Sequence, residues 1–160
     1  AIFQMFAHGI NAIGLFYIVQ VIHERTGTYS LSSLGGITQK TPVLSIYFMI
    51  ILLGSVALPL TNGFVGEFVL LKSVFEYHYL LGGIAGLTII FGAVYMLRLM
   101  QKSMFGTLNS TTEGFKDIEG SEVLVIFPIA FLVIVTGVFP NYILQLTEPV
   151  VVQLLTGIIK

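Results

Sequence analysis

The sequence predicts an all-α integral membrane protein of four transmembrane helices, the second of them broken. Three observations carry that prediction. Of the 160 residues 56% are hydrophobic and 9% charged, against about 25% charged in an average soluble domain, and mean hydropathy is +0.96. A bilayer core of ~30 Å takes about 20 apolar helical residues to cross, and runs of that length recur between short polar stretches. The basic residues are placed so that a count of four spans puts most of them on one side of a membrane.

Residues 1–22, AIFQMFAHGINAIGLFYIVQVI, form the first span. The run opens without Met, a basic leader or a cleavage site of small residues, so it reads as a stretch cut from inside a longer protein. Residues 23–42, HERTGTYSLSSLGGITQKTP, are a polar loop with a glycine pair and a closing proline. Residues 43–77 hold two apolar halves, 43–57 and 64–75, each short for a crossing, with LPLTNG at 58–63 between them. One discontinuous helix crossing once accounts for this better than two stunted helices and five spans. Residues 79–102 are the third span, and 103–121 form a polar, turn-rich loop. Residues 122–140 are the last span, where Pro128 is expected to introduce a kink. Residues 141–160, interrupted by Glu148-Pro149, are expected to lie at the membrane interface.

With one crossing at 43–77, Arg25, Lys40, Lys102 and Lys116 share a side, with Arg98 close to it, and the other face keeps Lys160 and Lys72. Two crossings would divide the basic residues, against the positive-inside tendency. The long loops are therefore expected on the cytoplasmic or matrix side, with the C-terminus opposite.

Several function classes lose support. The net charge of −1 comes without a basic cluster that could displace counterions from nucleic acid. Without cysteine there is no disulfide, thiolate metal site or iron–sulfur ligation. No phosphate-binding glycine loop, metal-ligand cluster or nucleophile with a paired base is visible, so no catalytic residue and no metal ligand is assigned.

What remains is a carboxylate in an apolar run. Glu67 follows Pro59, Thr61, Asn62 and Gly63 by four to eight residues. Acids at membrane depth are costly and face protein or water-filled cavities, and helix breaks occur where freed backbone groups line such cavities. Glu67 is the candidate proton-transfer residue, and Pro59, Asn62 and Gly63 the candidate break. The alternative is a surface loop with a solvated Glu67. On the first span Gln4, His8 and Asn11 recur at helical spacing as one polar stripe, expected to point into the bundle. His8 is a candidate proton relay; an interhelical hydrogen-bonding stripe is the equally weighted alternative. Lys72 and Glu76 are expected to pair at i, i+4, with Lys72, Asn11 and Gln4 as candidate modulators of Glu67. Arg98 and Lys102 read as topological anchors. Tyr17, Tyr47, Tyr77, Tyr79 and Tyr95 read as packing or interface residues, and the glycines of 79–92 as close-packing positions.

AHGINAIGLF (7–16), HERTGT, SLGGITQKTP and ALPLTNGFVGEF (57–68), followed by AVYMLRLMQKSMFG (93–106) and more loosely GVFPNYIL (137–144), together resemble a family. It is that of the antiporter-like membrane subunits of proton-pumping NADH:quinone oxidoreductase, respiratory complex I. The likeness is to the C-terminal part of the M type, whose mitochondrial counterpart is NADH dehydrogenase subunit four. The resemblance implies the last four spans of a fourteen-helix fold built from two inverted five-helix repeats, with the second repeat's broken helix at 43–77. It implies Glu67 as the terminal protonatable residue of a half-channel and His8 as a member of the membrane arm's axial polar chain. The L and N types carry a lysine where this chain has Glu67.

The implied partners are other membrane-arm subunits, above all the L and N types, with the lipid bilayer and protons. The implied location is a bacterial inner or mitochondrial inner membrane. NAD, FMN, iron–sulfur clusters and quinone are expected in other subunits and none in this chain. Lys72 departs from the family, standing where an apolar residue is expected. The family's essential lysines and glutamate would lie upstream of Ala1, so this stretch is not expected to pump alone. The rival functions are a subunit of an Mrp-type cation/proton antiporter or a membrane-bound hydrogenase, and a purely structural membrane-arm segment.

Overall fold

The computed structural model describes residues 1–158; Lys160 lies outside them. Six α-helices, two single-turn 3-10 helices (Leu31–Ser33 and Ile37–Gln39) and no strand occur among the described residues; the α-helices are α1 (Ile2–Thr26), α2 (Pro42–Ser55), α3 (Asn62–Tyr77), α4 (Tyr79–Met104), α5 (Ser121–Val138) and α6 (Asn141–Ile158). By length and composition α1, α4 and α5 are each able to cross a membrane, while α2 is a shorter apolar helix.

α2 and α3 follow one another along the same two neighbours. On α1, Gly14 packs at Ile51 and Asn11 at Gly54, then the Asn62 Nδ2 donates to the Ala7 carbonyl at 3.4 Å and Gln4 meets Gly66. The partner numbers rise as α1 is descended, so α2 and α3 together run antiparallel to it. On α5, Val133 meets Gly54 and Gly137 meets Leu60 and Thr61, which keeps the same order. This is one discontinuous helix, the reading made from the two short apolar halves.

The break is placed slightly earlier than expected. It occupies 56–61, with Pro59 inside it, whereas Asn62 and Gly63 are the first two residues of α3. The chain turns on Ala57 (φ 56°) and Leu60 (φ 77°), two non-glycine residues in the left-handed region, rather than on a glycine. Gly63 serves instead as a contact: a Cβ there would collide with the Gly54 carbonyl oxygen.

The loops between α1 and α2 and between α4 and α5 lie against each other. The Gly36 N–H donates to the Phe105 carbonyl at 3.0 Å, Gln39 Nε2 to the Gly106 carbonyl at 2.7 Å, and Thr112 Oγ1 to the Gly35 carbonyl at 2.8 Å. Both long loops are thus at one end of the bundle. The apolar core sits in that half, around Ile18, Leu44, Phe48, Ile51, Met100 and Ile126.

The opposite half is open. There α3 packs chiefly on α4, α6 touches α1, and α4 exposes Leu80, Ile84, Leu87, Ile90 and Phe91. α5 continues through Pro128 and α6 through Pro149. The expectation that the glycines of 79–92 pack closely holds only for Gly82, against Phe75; a Cβ on Gly83 or Gly86 would meet nothing.

Candidate functional site

α3 begins in mid-bundle because the break ends there, and Glu67 stands just past its first turn. Its side chain is half-buried. Small residues bring it there: Gly63 lets α3 approach the end of α2, and a Cβ on Gly66 would run into the Gln4 side chain.

The α1 stripe meets Glu67 across a cleft of about 340 Å³ lined by Gln4, His8, Asn11, Gly63, Glu67 and Tyr95, among others. Residues from α1, α2, α3 and α4 therefore surround one space. Within the stripe the three side chains differ. Asn11 is buried, at 4% exposure, Gln4 is half-buried beside Glu67, and His8 is exposed at the cleft's open side. All three nonetheless line the cleft that holds Glu67, His8 on its exposed side.

The amide oxygens of Asn11 and the fully buried Asn62 have no hydrogen-bond donor among the described residues. A Cβ placed on Gly54 would lie 3.0 Å from the first and 3.4 Å from the second. These two polar groups stand beside the break, and Asn11 also lines the cleft that holds Glu67.

A second cleft, of about 370 Å³, lies between α3 and α4. Glu67, Leu70, Leu71 and Val74 line it from α3, and Ala85, Thr88, Ile89, Gly92 and Tyr95 from α4. It runs from Glu67 toward the α3–α4 turn at His78, the end opposite the long loops. Ser55, Glu67 and Tyr95 belong to both clefts and form the partition between them.

Lys72 is not part of either cleft. Its Nζ lies 3.7 Å from Glu76 Oε1, and both side chains are 66% exposed, so the expected i, i+4 pair is present and directed away from Glu67. Tyr95 and Ser55 were not singled out in the sequence as site residues. Tyr95 stands in an apolar helix far along the chain, where an aromatic ordinarily signals packing, and no local pattern ties it to Glu67.

Chemically the arrangement offers an acid that faces two spaces at once, with amide, imidazole and hydroxyl groups around it. That suits proton or cation exchange between the two sides of a partition.

Residues 1–92 match the protein family described as NADH:quinone oxidoreductase/Mrp antiporter, TM. The chain is 42% identical over 146 residues to NADH-quinone oxidoreductase subunit M of Rickettsia typhi, covering 91% of this chain and 30% of that protein. It is 31% identical over 154 residues to the subunit M of Mycobacterium tuberculosis, covering 96% of this chain and 28% of that one. Among solved structures it is similar to a chain of respiratory complex I from Thermus thermophilus with bound NADH, at a TM-score of 0.82 and 32% identity. That match covers 88% of this chain and 29% of that one. A chain of an archaeal membrane-bound sulfane sulfur reductase shares the fold at a TM-score of 0.76 and 24% identity, covering 82% of this chain and 22% of that one. The chain thus spans about 30% of the length of the curated relatives it matches.

Proposed function

The chain belongs to the NADH:quinone oxidoreductase/Mrp antiporter transmembrane family, and we propose that it is part of an M-type, proton-translocating subunit of NADH:quinone oxidoreductase, with Glu67 its proton-exchanging residue. The observation that carries this is the position of Glu67 in the partition between the α1-side cleft and the α3–α4 cleft. A proton reaches the carboxylate from the α1 stripe, His8 acting as relay at its open side. It leaves along the α3–α4 cleft toward the end opposite the long loops. The long loops face the cytoplasm or matrix, and the membrane is the bacterial inner or mitochondrial inner membrane.

The driving energy comes from quinone reduction in other subunits, which hold the NAD, FMN, iron–sulfur and quinone sites. This chain's neighbours are the L- and N-type subunits and lipid. Its own part is to bind, hold and release a proton.

The test is the complete complex carrying Glu67→Gln, reconstituted in vesicles. Gln keeps the size and loses the titrating proton, so protons moved per electron should fall while assembly and quinone reduction persist. An unchanged ratio would overturn the assignment. His8→Ala should lower the ratio less. Undiminished assembly and pumping in Glu67→Leu would leave a purely structural role, and transport that requires sodium would favour a cation/proton antiporter.

A further inference from the structure

We propose that Tyr95 is a proton-transfer residue on the α4 side of Glu67, passing the proton from the carboxyl group into the cleft between α3 and α4; this rests on the reading of Glu67 as the exchanging acid.

Ser55, Glu67 and Tyr95 are the three residues common to the two clefts, so a proton moving from the α1 stripe to the α3–α4 side passes among them. The hydroxyls there are not equivalent. Ser55 Oγ donates to the Ile51 carbonyl at 3.1 Å, and Thr88 Oγ1, further along the second cleft, donates to the Ala85 carbonyl at 2.6 Å. Each spends its proton on its own helix, as such residues do in apolar surroundings. The Tyr95 hydroxyl has no partner among the described residues, and the residue is 63% exposed. It keeps both a donor and acceptor lone pairs for other groups.

Its direction fits the role. Side chains on an α-helix lean toward the N-terminus, and the Tyr95 ring does so, its Cε1 lying 3.9 Å from where a Cβ on Gly92 would stand. Gly92, Thr88 and Ala85 continue the same helix face and form the α4 wall of the second cleft. The ring thus leads from the partition into that cleft, alongside Gly92.

The transfer is balanced with two waters, since Glu67 and Tyr95 share the clefts without a hydrogen bond to each other. The O–H bond of the neutral Glu67 carboxyl breaks as its proton joins a bridging water, and that water gives up one of its own protons to form a new O–H bond on the Tyr95 oxygen. The original phenol proton passes to a water in the α3–α4 cleft, giving hydronium, a carboxylate and an unchanged neutral phenol. Rotation of the hydroxyl restores the starting orientation. No phenolate is formed, so the step does not require tyrosine to ionise.

The experiment uses the complete complex in vesicles with Tyr95→Phe, which removes the hydroxyl and retains the ring. Protons per electron should fall by at least half of the loss that Glu67→Gln produces. Assembly and uncoupled quinone reduction should be retained, and the pH profile of pumping should shift. Tyr95→His, which restores a group able to accept and donate, should recover most of that loss. A wild-type ratio and pH profile in Tyr95→Phe, beside a clear loss in Glu67→Gln, overturns the role of Tyr95 alone. A deficit accompanied by equal loss of assembly, or unrelieved in Tyr95→His, also overturns it by assigning the side chain to packing. Unimpaired pumping in Glu67→Gln removes the premise instead.

Discussion

Glu67 owes its position to the absence of side chains around it. A Cβ at Gly63 would collide with the Gly54 carbonyl oxygen, a backbone atom that cannot rotate away, and Ala57 Cα is 3.5 Å off. Gly63→Ala should therefore push α3 from α2 and cost about 1–3 kcal/mol, the usual range for overpacking, read as a lowered melting temperature of the purified subunit or complex. Gly83→Ala, where a Cβ meets nothing, should be neutral or stabilise by up to about 1 kcal/mol through helix propensity. The acid itself was legible in the sequence, because a carboxylate in an apolar run with a proline and glycines just before it has few bland explanations. Tyr95 was not, because its meaning comes from which cleft it lines.

At the scale of elements, the broken helix is held at its start by a distant residue. α2 starts with Pro42, and Thr41 gives it no side-chain cap. The Asp117 carboxylate does this instead, accepting from the Val43 N–H at 2.8 Å and the Leu44 N–H at 3.0 Å. Asp117→Ala should cost about 0.5–2 kcal/mol, the range for losing a helix cap, with Asp117→Asn retaining only part of it, since its amide has one acceptor oxygen for the two N–H donors; thermal melting of the pair checks this. A cap from another loop leaves no sequence signature beside the helix it serves. The break was visible as Pro59 among polar residues, but its turn was not. Ala57 and Leu60 take positive φ because Gly54, Gly63 and Gly137 let the backbones of α2, α3 and α5 close around them, a constraint set by packing.

For the whole molecule, the long-loop end is the fixed one. Arg25 Nη2 meets Glu122 Oε2 at 2.7 Å with side chains 19% and 28% exposed, donates to the Asp117 carbonyl at 3.4 Å, and lies over Phe115. This joins the end of α1 to the start of α5 and to the loop that caps α2. Arg25→Met should lower stability by about 1–3 kcal/mol, as for hydrogen bonds to charged groups. Lys72→Met, which removes an exposed ion pair, should change it by less than about 0.5 kcal/mol. Titration with denaturing detergent, followed by circular dichroism, ranks the two. The proposed path from Glu67 opens at the other end, between α3 and α4.

Hydropathy and charge by themselves determined that this is a helical membrane chain, and they led to the reading of 43–77 as one discontinuous helix and of Glu67 as the candidate site residue. These follow from the cost of taking charge and unpaired backbone out of water, which every residue meets whatever it packs against. The tertiary structure decided which residues share a space with Glu67: that Asn11 is buried and His8 is not, that Lys72 turns away to Glu76, and that Tyr95 stands in the partition. Those are matters of helix rotation and close approach, fixed by contacts between segments far apart in the chain.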